Sequence, residues 1–187
     1  MDGGEVQLYV RLISGTLLGL TLGRLLNGVA KFVQQPKSHK INILHALWAF
    51  FIFASVTLFW WDEAHTFGTV QWTFSTYLFQ IAYCGSFLFL TAVLLPDSVD
   101  DHADHYSYFI AQRHWFYSVL IISYVLGIAD TVIKEGWSES FFGPEAIIFD
   151  LIMIAILGAG MVINSHRVHL ATALVMVALT ILSALVV

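Results

Sequence analysis

Six stretches of the chain, near residues 8–30, 41–61, 74–95, 114–134, 145–165 and 169–187, are apolar over about twenty residues each. Coiled as a helix at about 1.5 Å per residue, each spans the hydrocarbon core of a bilayer. Polar positions collect between the stretches and not within them, the pattern of helices set in lipid. The breaks carry the matching chemistry: Gln34-Gln35-Pro36-Lys37-Ser38 after the first stretch, Asp62-Glu63-Ala64-His65 after the second, Pro96-Asp97 after the third. Gly143-Pro144-Glu145 opens the fifth, with proline in the first turn and an acid at the positive end of the helix dipole. Ser165-His166-Arg167 leaves only a tight turn before the sixth, which makes the last two antiparallel neighbours. The pattern predicts an all-α fold, a polytopic membrane bundle of about six transmembrane helices in a single domain over residues 1–187. Residues 97–112 are too polar for a span, and read either as a surface helix with Tyr106, Phe109 and Ile110 towards lipid or as an inward extension of the fourth span.

Composition narrows the class further. The chain is 58% hydrophobic and 11% charged, against roughly a quarter charged for a soluble domain. No soluble domain is left room. The start, Met1-Asp2-Gly3-Gly4-Glu5, has neither a basic region nor a small-residue cleavage site, so the first span is expected to stay. Cys84 is the lone cysteine, which excludes an intrachain disulfide and a thiolate-rich metal site. The net charge of −5 comes without a basic stripe, so neither nucleic acid nor anionic lipid is an expected partner.

Orientation is read from Lys and Arg. With both termini outside the cytoplasm, Lys31, Lys37, Lys40, Arg113 and Arg167 lie at inner ends, against Arg11 and Lys134 at outer ends. Trp60, Trp61, Trp72, Trp115 and Trp137 fall near the expected interfaces. His45-Ala46-Leu47-Trp48 leading to Asp62 is echoed by His114-Trp115 leading to Asp130, and a three-plus-three inverted repeat is conceivable; both matches are too short to establish one.

In the middle third, Gln71-Trp72-Thr73-Phe74, Tyr77-Leu78-Phe79, Leu94-Leu95-Pro96-Asp97 and Tyr108-Phe109-Ile110-Ala111-Gln112-Arg113-His114-Trp115-Phe116 resemble segments of small bacterial membrane proteins of unassigned function. The resemblance implies a bacterial inner-membrane location and no activity, ligand or site residue.

Candidate chemistry is sparse. Gly15, Gly19 and Gly23 recur every fourth residue, a smooth stripe for close helix approach within the chain or in a homo-oligomer. Arg24 follows inside the first span, where a charge needs a partner, water or a snorkelling route to headgroups past Asn27 and Lys31. Asp150 lies about 9 Å into the fifth span at the helical rise, a candidate proton or cation site or else an interhelical hydrogen-bond acceptor. Asp130 precedes Lys134 by four residues and reads as an interfacial ion pair.

Seven of the eight histidines, His39, His45, His102, His105, His114, His166 and His169, fall at expected inner ends, leaving His65 outside. His102 and His105, three apart, share a face on a helix, with Asp101 and Asp104 able to complete an oxygen and nitrogen shell for a divalent cation such as zinc, and His166 with His169 repeats the spacing. His45, His114 and His166 stand at similar depth, where axial haem ligands can meet. No serine elbow, intramembrane His-Asp pair or phosphate-binding glycine loop points to an enzyme.

Three functions follow from these residues: an oligomeric proton or cation channel or transporter using Arg24, Asp130 and Asp150; a noncatalytic membrane subunit or assembly factor docking through the glycine stripe; and a metal- or haem-binding membrane sensor or redox protein. The first leads, because ionisable residues within spans default to function. The implied surroundings are the lipid bilayer and a second copy or another membrane protein; the cofactor is unknown, with a divalent metal possible.

Overall fold

The computed structural model describes residues 3–34, 42–68, 70–95, 105–136 and 143–186. They form six helices: α1 (Gly3–Gln34), α2 (Ile43–Thr66), α3 (Phe74–Leu94), α4 (His105–Glu135), α5 (Pro144–Val162) and α6 (His166–Val186). Each is long and apolar enough to cross a membrane, and the described residues contain no strand. The chain is an integral, multi-pass, all-helical membrane protein.

Local sequence accounts for several helix ends. Asn42 accepts the Leu44 N–H at 2.9 Å and starts α2. Thr73 and Thr76 form a reciprocal capping box on α3. Pro144 fills the first turn of α5 after Gly143. Gly136, at φ 77°, ends α4 in the left-handed conformation that glycine adopts without steric cost.

Two boundaries differ from the sequence expectation. Asp62-Glu63-Ala64-His65 is no break: α2 runs through it to Thr66, since no residue there opposes helix and Gly68 is the first to do so. Glu63 is thereby carried into the bundle and buried. The polar segment before the fourth span continues α4 from His105, so the described part of residues 97–112 extends the fourth helix and is not a separate surface helix.

The helices run alternately up and down. The first residues of α1, α3 and α5 share one end with the last residues of α2, α4 and α6, here the carboxylate end; the opposite, histidine end holds His45, His114, His166 and His169. α2 packs on α1, α3, α4 and α6, while α4 packs on α2, α3 and α5 and α5 closes on α6. Polar contacts pin the pairs: Tyr108 Oη donates to Val93 O at 3.1 Å between α4 and α3, and Ser123 Oγ donates to Ser86 Oγ at 2.9 Å a little deeper. The outer faces expose Leu8, Leu12, Leu20, Ile122, Leu151 and Leu182, as helices solvated by lipid do.

The glycine stripe divides. A Cβ on Gly15 would lie 3.3 Å from the Trp60 ring, so this glycine serves packing of α1 on α2, whereas Cβ atoms on Gly19 and Gly23 would meet nothing within 4 Å. The echo between the second and fourth spans is not structural either: Trp48 and His45 are buried, while Trp115 and His114 are exposed.

Candidate functional site

Between α2, α3, α4 and α6 lies a chamber of about 260 Å³. Asp62, Thr66, Lys134 and Glu135 mark its mouth at the carboxylate end, and Phe51, Leu90 and Leu120 its floor. From Glu135 to Leu120 along α4 is about 22 Å at the standard rise, so the chamber reaches deep into the bundle. A wider cleft of about 570 Å³ adjoins it, sharing Ser55, Tyr83, Tyr124 and Thr131 as walls and reaching α5 at Phe149, Asp150 and Met153.

Three charges meet beside the chamber, Lys134 and Asp130 in its lining and Glu63 behind them, in the lining of a smaller pocket with Arg11. Lys134 Nζ donates to Glu63 Oε1 across the α2–α4 interface and to Asp130 Oδ2 at 2.5 Å on its own helix. The Glu63 side chain is 1% exposed, Lys134 6% and Asp130 13%, so the ion pair expected of Asp130 and Lys134 is present and the buried Glu63 carboxylate joins it. Gln80 stands in hydrogen-bond reach of the Glu63 carboxylate, and the ammonium lies 5.6 Å from the Phe59 ring centroid. Among the residues lining the chamber, Asp62, Asp130 and Glu135 against Lys134 leave a formal excess of −2. A low-dielectric cleft with that balance concentrates cations and repels anions.

Asp150 lies apart, in the cleft wall. Its Oδ1 accepts the Tyr124 hydroxyl at 2.8 Å, and among the described residues no Lys, Arg or His forms an ion pair with it. The contact links α4 to α5, so the interhelical hydrogen bond foreseen for Asp150 is present, and the carboxylate also faces the cleft. Arg24 lines neither cavity: its guanidinium donates to Leu95 O at 3.3 Å, at the negative end of α3.

The histidine end is sealed. Trp48 of α2 packs edge-on against Phe116 and Tyr117 of α4, with centroids 4.9 and 5.9 Å away, and all three are at most 1% exposed. They lie about one helical turn beneath the chamber floor. Phe109 sits below them, touched by His45 of α2 at 5.8 Å and His169 of α6 at 5.4 Å. Tyr117 Oη and His169 Nδ1 share a hydrogen bond of 3.0 Å. This ring position needs Gly160 of α5, where a Cβ would approach Tyr117 to 2.5 Å.

The chain matches no family model, no curated protein and no solved structure.

Among the described residues no three His, Cys, Asp or Glu side chains converge as a metal site. Asp101, His102, Asp104 and the His105 side chain lie outside the described residues. His166 is exposed and meets the Tyr106 ring, His169 is buried beneath Phe109, and the two do not point to one site. The haem expectation of facing axial ligands does not match the side chains: His45 is buried against Phe109, while His114 and His166 are exposed. Sequence reasoning passed over Glu63, read as loop, and the Trp48, Phe116 and Tyr117 seal, and it read His169 as a metal candidate with His166 and not as the partner of Tyr117. The usable signal for Glu63 was the absence of Gly or Pro between Trp60 and Phe67, which favours a helix running on.

Proposed function

We propose that this protein is a membrane transporter that moves protons or small cations by alternating access. The observation that supports it is the acidic chamber entered at one end of the bundle and stopped part-way by the Trp48–Phe116–Tyr117 seal. An open channel needs a continuous path; a cavity reaching part-way to a packed seal suits a carrier that exposes its site to one side at a time. In this reading the cation enters past Asp62 and Asp130, drawn by the excess negative charge, and is held among the hydroxyls and carboxylates of the chamber walls. Opening the seal then separates α2 and α6 from α4 at the histidine end, while the mouth closes. The excess of Lys and Arg at the histidine end orients that end to the cytoplasm, so both termini and the mouth face outside. The resemblance in the middle third favours a bacterial inner membrane.

The test is flux of protons and monovalent cations into proteoliposomes holding the purified protein, with Asp130→Asn, Asp150→Asn and Trp48→Ala alongside. Saturable uptake in wild type, reduced about tenfold or more by a carboxylate substitution and made leaky by Trp48→Ala, is the expected result. No flux from folded protein under an applied voltage or pH gradient overturns the reading.

A second reading is favoured by one observation: Gly19 and Gly23 have nothing packed over them, and Leu12, Leu20 and Leu26 on the same helix are exposed. That face suits a close helix partner, either a second copy or a larger complex in which this chain is a noncatalytic subunit. Gly19→Leu is then expected to shift the detergent-solubilised protein from oligomer to monomer by light scattering.

A further inference from the structure

Asp150 and its cleft have a chemistry that a proton or a bare metal cation leaves unused. The carboxylate stands within a span with no cationic side chain paired to it among the described residues, and Tyr124 takes only one of its oxygens. An ionised group at that depth calls for a counter-charge. The space beside it is about 570 Å³, within the range of about 300–1,000 Å³ typical of small-molecule sites. A single water takes about 30 Å³, so one hydrated monovalent ion fills a small part of it. The cleft lining offers aromatic and thioether side chains: Phe149 and Met153 on the helix of Asp150 itself, and Phe51, Tyr83 and Met176 on α2, α3 and α6. Aromatic faces attract a cation that has shed its water, and methionines adapt to the shape of a carbon skeleton.

We infer that this cleft binds an organic cation, a protonated or quaternary ammonium on an apolar body, with the nitrogen at Asp150 and the body against the aromatic and methionine wall. Tyr124 is a positioning residue, whose hydroxyl fixes the carboxylate towards the cleft. An organic anion is repelled by Asp150, and a neutral apolar molecule leaves the carboxylate uncompensated. The inference rests on the transport reading and deepens it by naming a substrate class for the cleft that adjoins the chamber, and binding is measurable without flux.

The experiment is equilibrium binding of radiolabelled benzyltrimethylammonium to the full chain in lipid nanodiscs, with neopentylbenzene as the neutral isostere in competition. Expected are saturable binding to wild type, weakening of tenfold or more in Asp150→Asn, and competition by neopentylbenzene at least tenfold poorer than by the unlabelled ammonium. Met176→Trp, which fills the cleft without touching the charge, is expected to abolish binding, and it keeps the test decisive if Asp150→Asn does not fold. No saturable binding overturns the inference, as does unchanged affinity in Asp150→Asn or Met176→Trp. Equal competition by the neutral compound also overturns it, showing an apolar cleft occupied by lipid. Proton or potassium flux without ammonium binding removes this inference and leaves the transport reading. Ammonium binding without flux of any cation sustains the site and removes transport.

Discussion

Replacing Lys134 by methionine tests whether the buried network at the mouth holds α2 to α4. The substitution keeps the length and apolar stem but removes the cation paired with both Glu63 and Asp130, whose side chains are 1% and 13% exposed. The formal charge of the cluster changes from −1 to −2, with both carboxylates left facing each other. Removing one partner of a buried ion pair costs about 3–5 kcal/mol, because the remaining charge stays buried and uncompensated. For a chain of this length each kcal/mol moves Tm by about 2–4 °C, so a fall of about 6–20 °C follows. Cys84 supplies the readout: it is the lone cysteine and fully buried, so a thiol-reactive fluorogenic maleimide reports its exposure as the detergent-solubilised protein is heated. Adding Glu63→Gln restores the charge to −1 and is expected to recover about half the loss or more, since one of the two uncompensated carboxylates is gone. A single variant melting within 2 °C of wild type, or a double variant no more stable than the single, refutes the assignment of an electrostatic clasp.

Further outcomes follow from the same packing. Gly160→Ala places a Cβ against the Tyr117 ring, and overpacking there is expected to cost about 1–3 kcal/mol, read as a lower Tm and as faster cation leak if the seal loosens. Gly19→Ala meets open space and removes a helical glycine, so it is expected to be neutral or stabilising by about 0.5–1 kcal/mol. Gly28→Ala presses on Leu95 and is expected to destabilise by about 1 kcal/mol, so the two glycines separate in sign in the same melting assay. Tyr124→Phe removes a hydrogen bond to a carboxylate and is expected to cost about 1.5–3 kcal/mol; an unchanged Tm argues that water replaces the hydroxyl.

The fold was largely legible because hydrophobic length is a strong signal: all six spans appear, displaced by a few residues at most ends. Misreadings fell where polar residues are helical. Asp62 to His65 resemble a loop by polarity, yet polarity does not stop a helix without Gly, Pro or a cap, and α2 runs on to the Phe67-Gly68 turn. The site was legible only in fragments. Asp130 with Lys134 and the isolated Asp150 stood out from their spacing and their apolar neighbours, but Glu63 is 71 residues from Lys134, and that contact depends on how α2 faces α4. The seal was hidden for a related reason. Trp48, Phe116 and Tyr117 look like any aromatic residues in a span, and only the packing of α2, α4 and α6 separates them from Trp60, Trp61 and Trp115, which are exposed. Of the histidines singled out, His45 is buried against Phe109, His114 and His166 are exposed, and His169 is hydrogen-bonded to Tyr117 of the seal.

The two ends differ in a way that bears on how such a bundle would work. At the carboxylate end α2 and α4 are joined by the buried Glu63–Lys134 pair, whose partners are costly to separate because each charge then stays uncompensated. At the histidine end the same two helices are joined by aromatic edges, which lose about 0.5–1.5 kcal/mol each on separation and expose no unpaired charge to lipid. Glu63 and Trp48 stand 15 residues apart on one straight helix, about 22 Å at the standard rise, so a tilt of α2 that lifts Trp48 from Phe116 displaces Glu63 relative to Lys134 in the opposite sense. A clasp and a seal on opposite ends of one lever oppose each other by geometry. In the proposed cycle, weakening the clasp therefore acts on the seal: Lys134→Met is expected to shift the balance between the two arrangements, changing the accessibility of a cysteine placed at the buried Ala49, beside an intact Trp48, in a Cys84→Ser background. A cysteine there that is equally shielded with and without Lys134 argues that the two ends move independently.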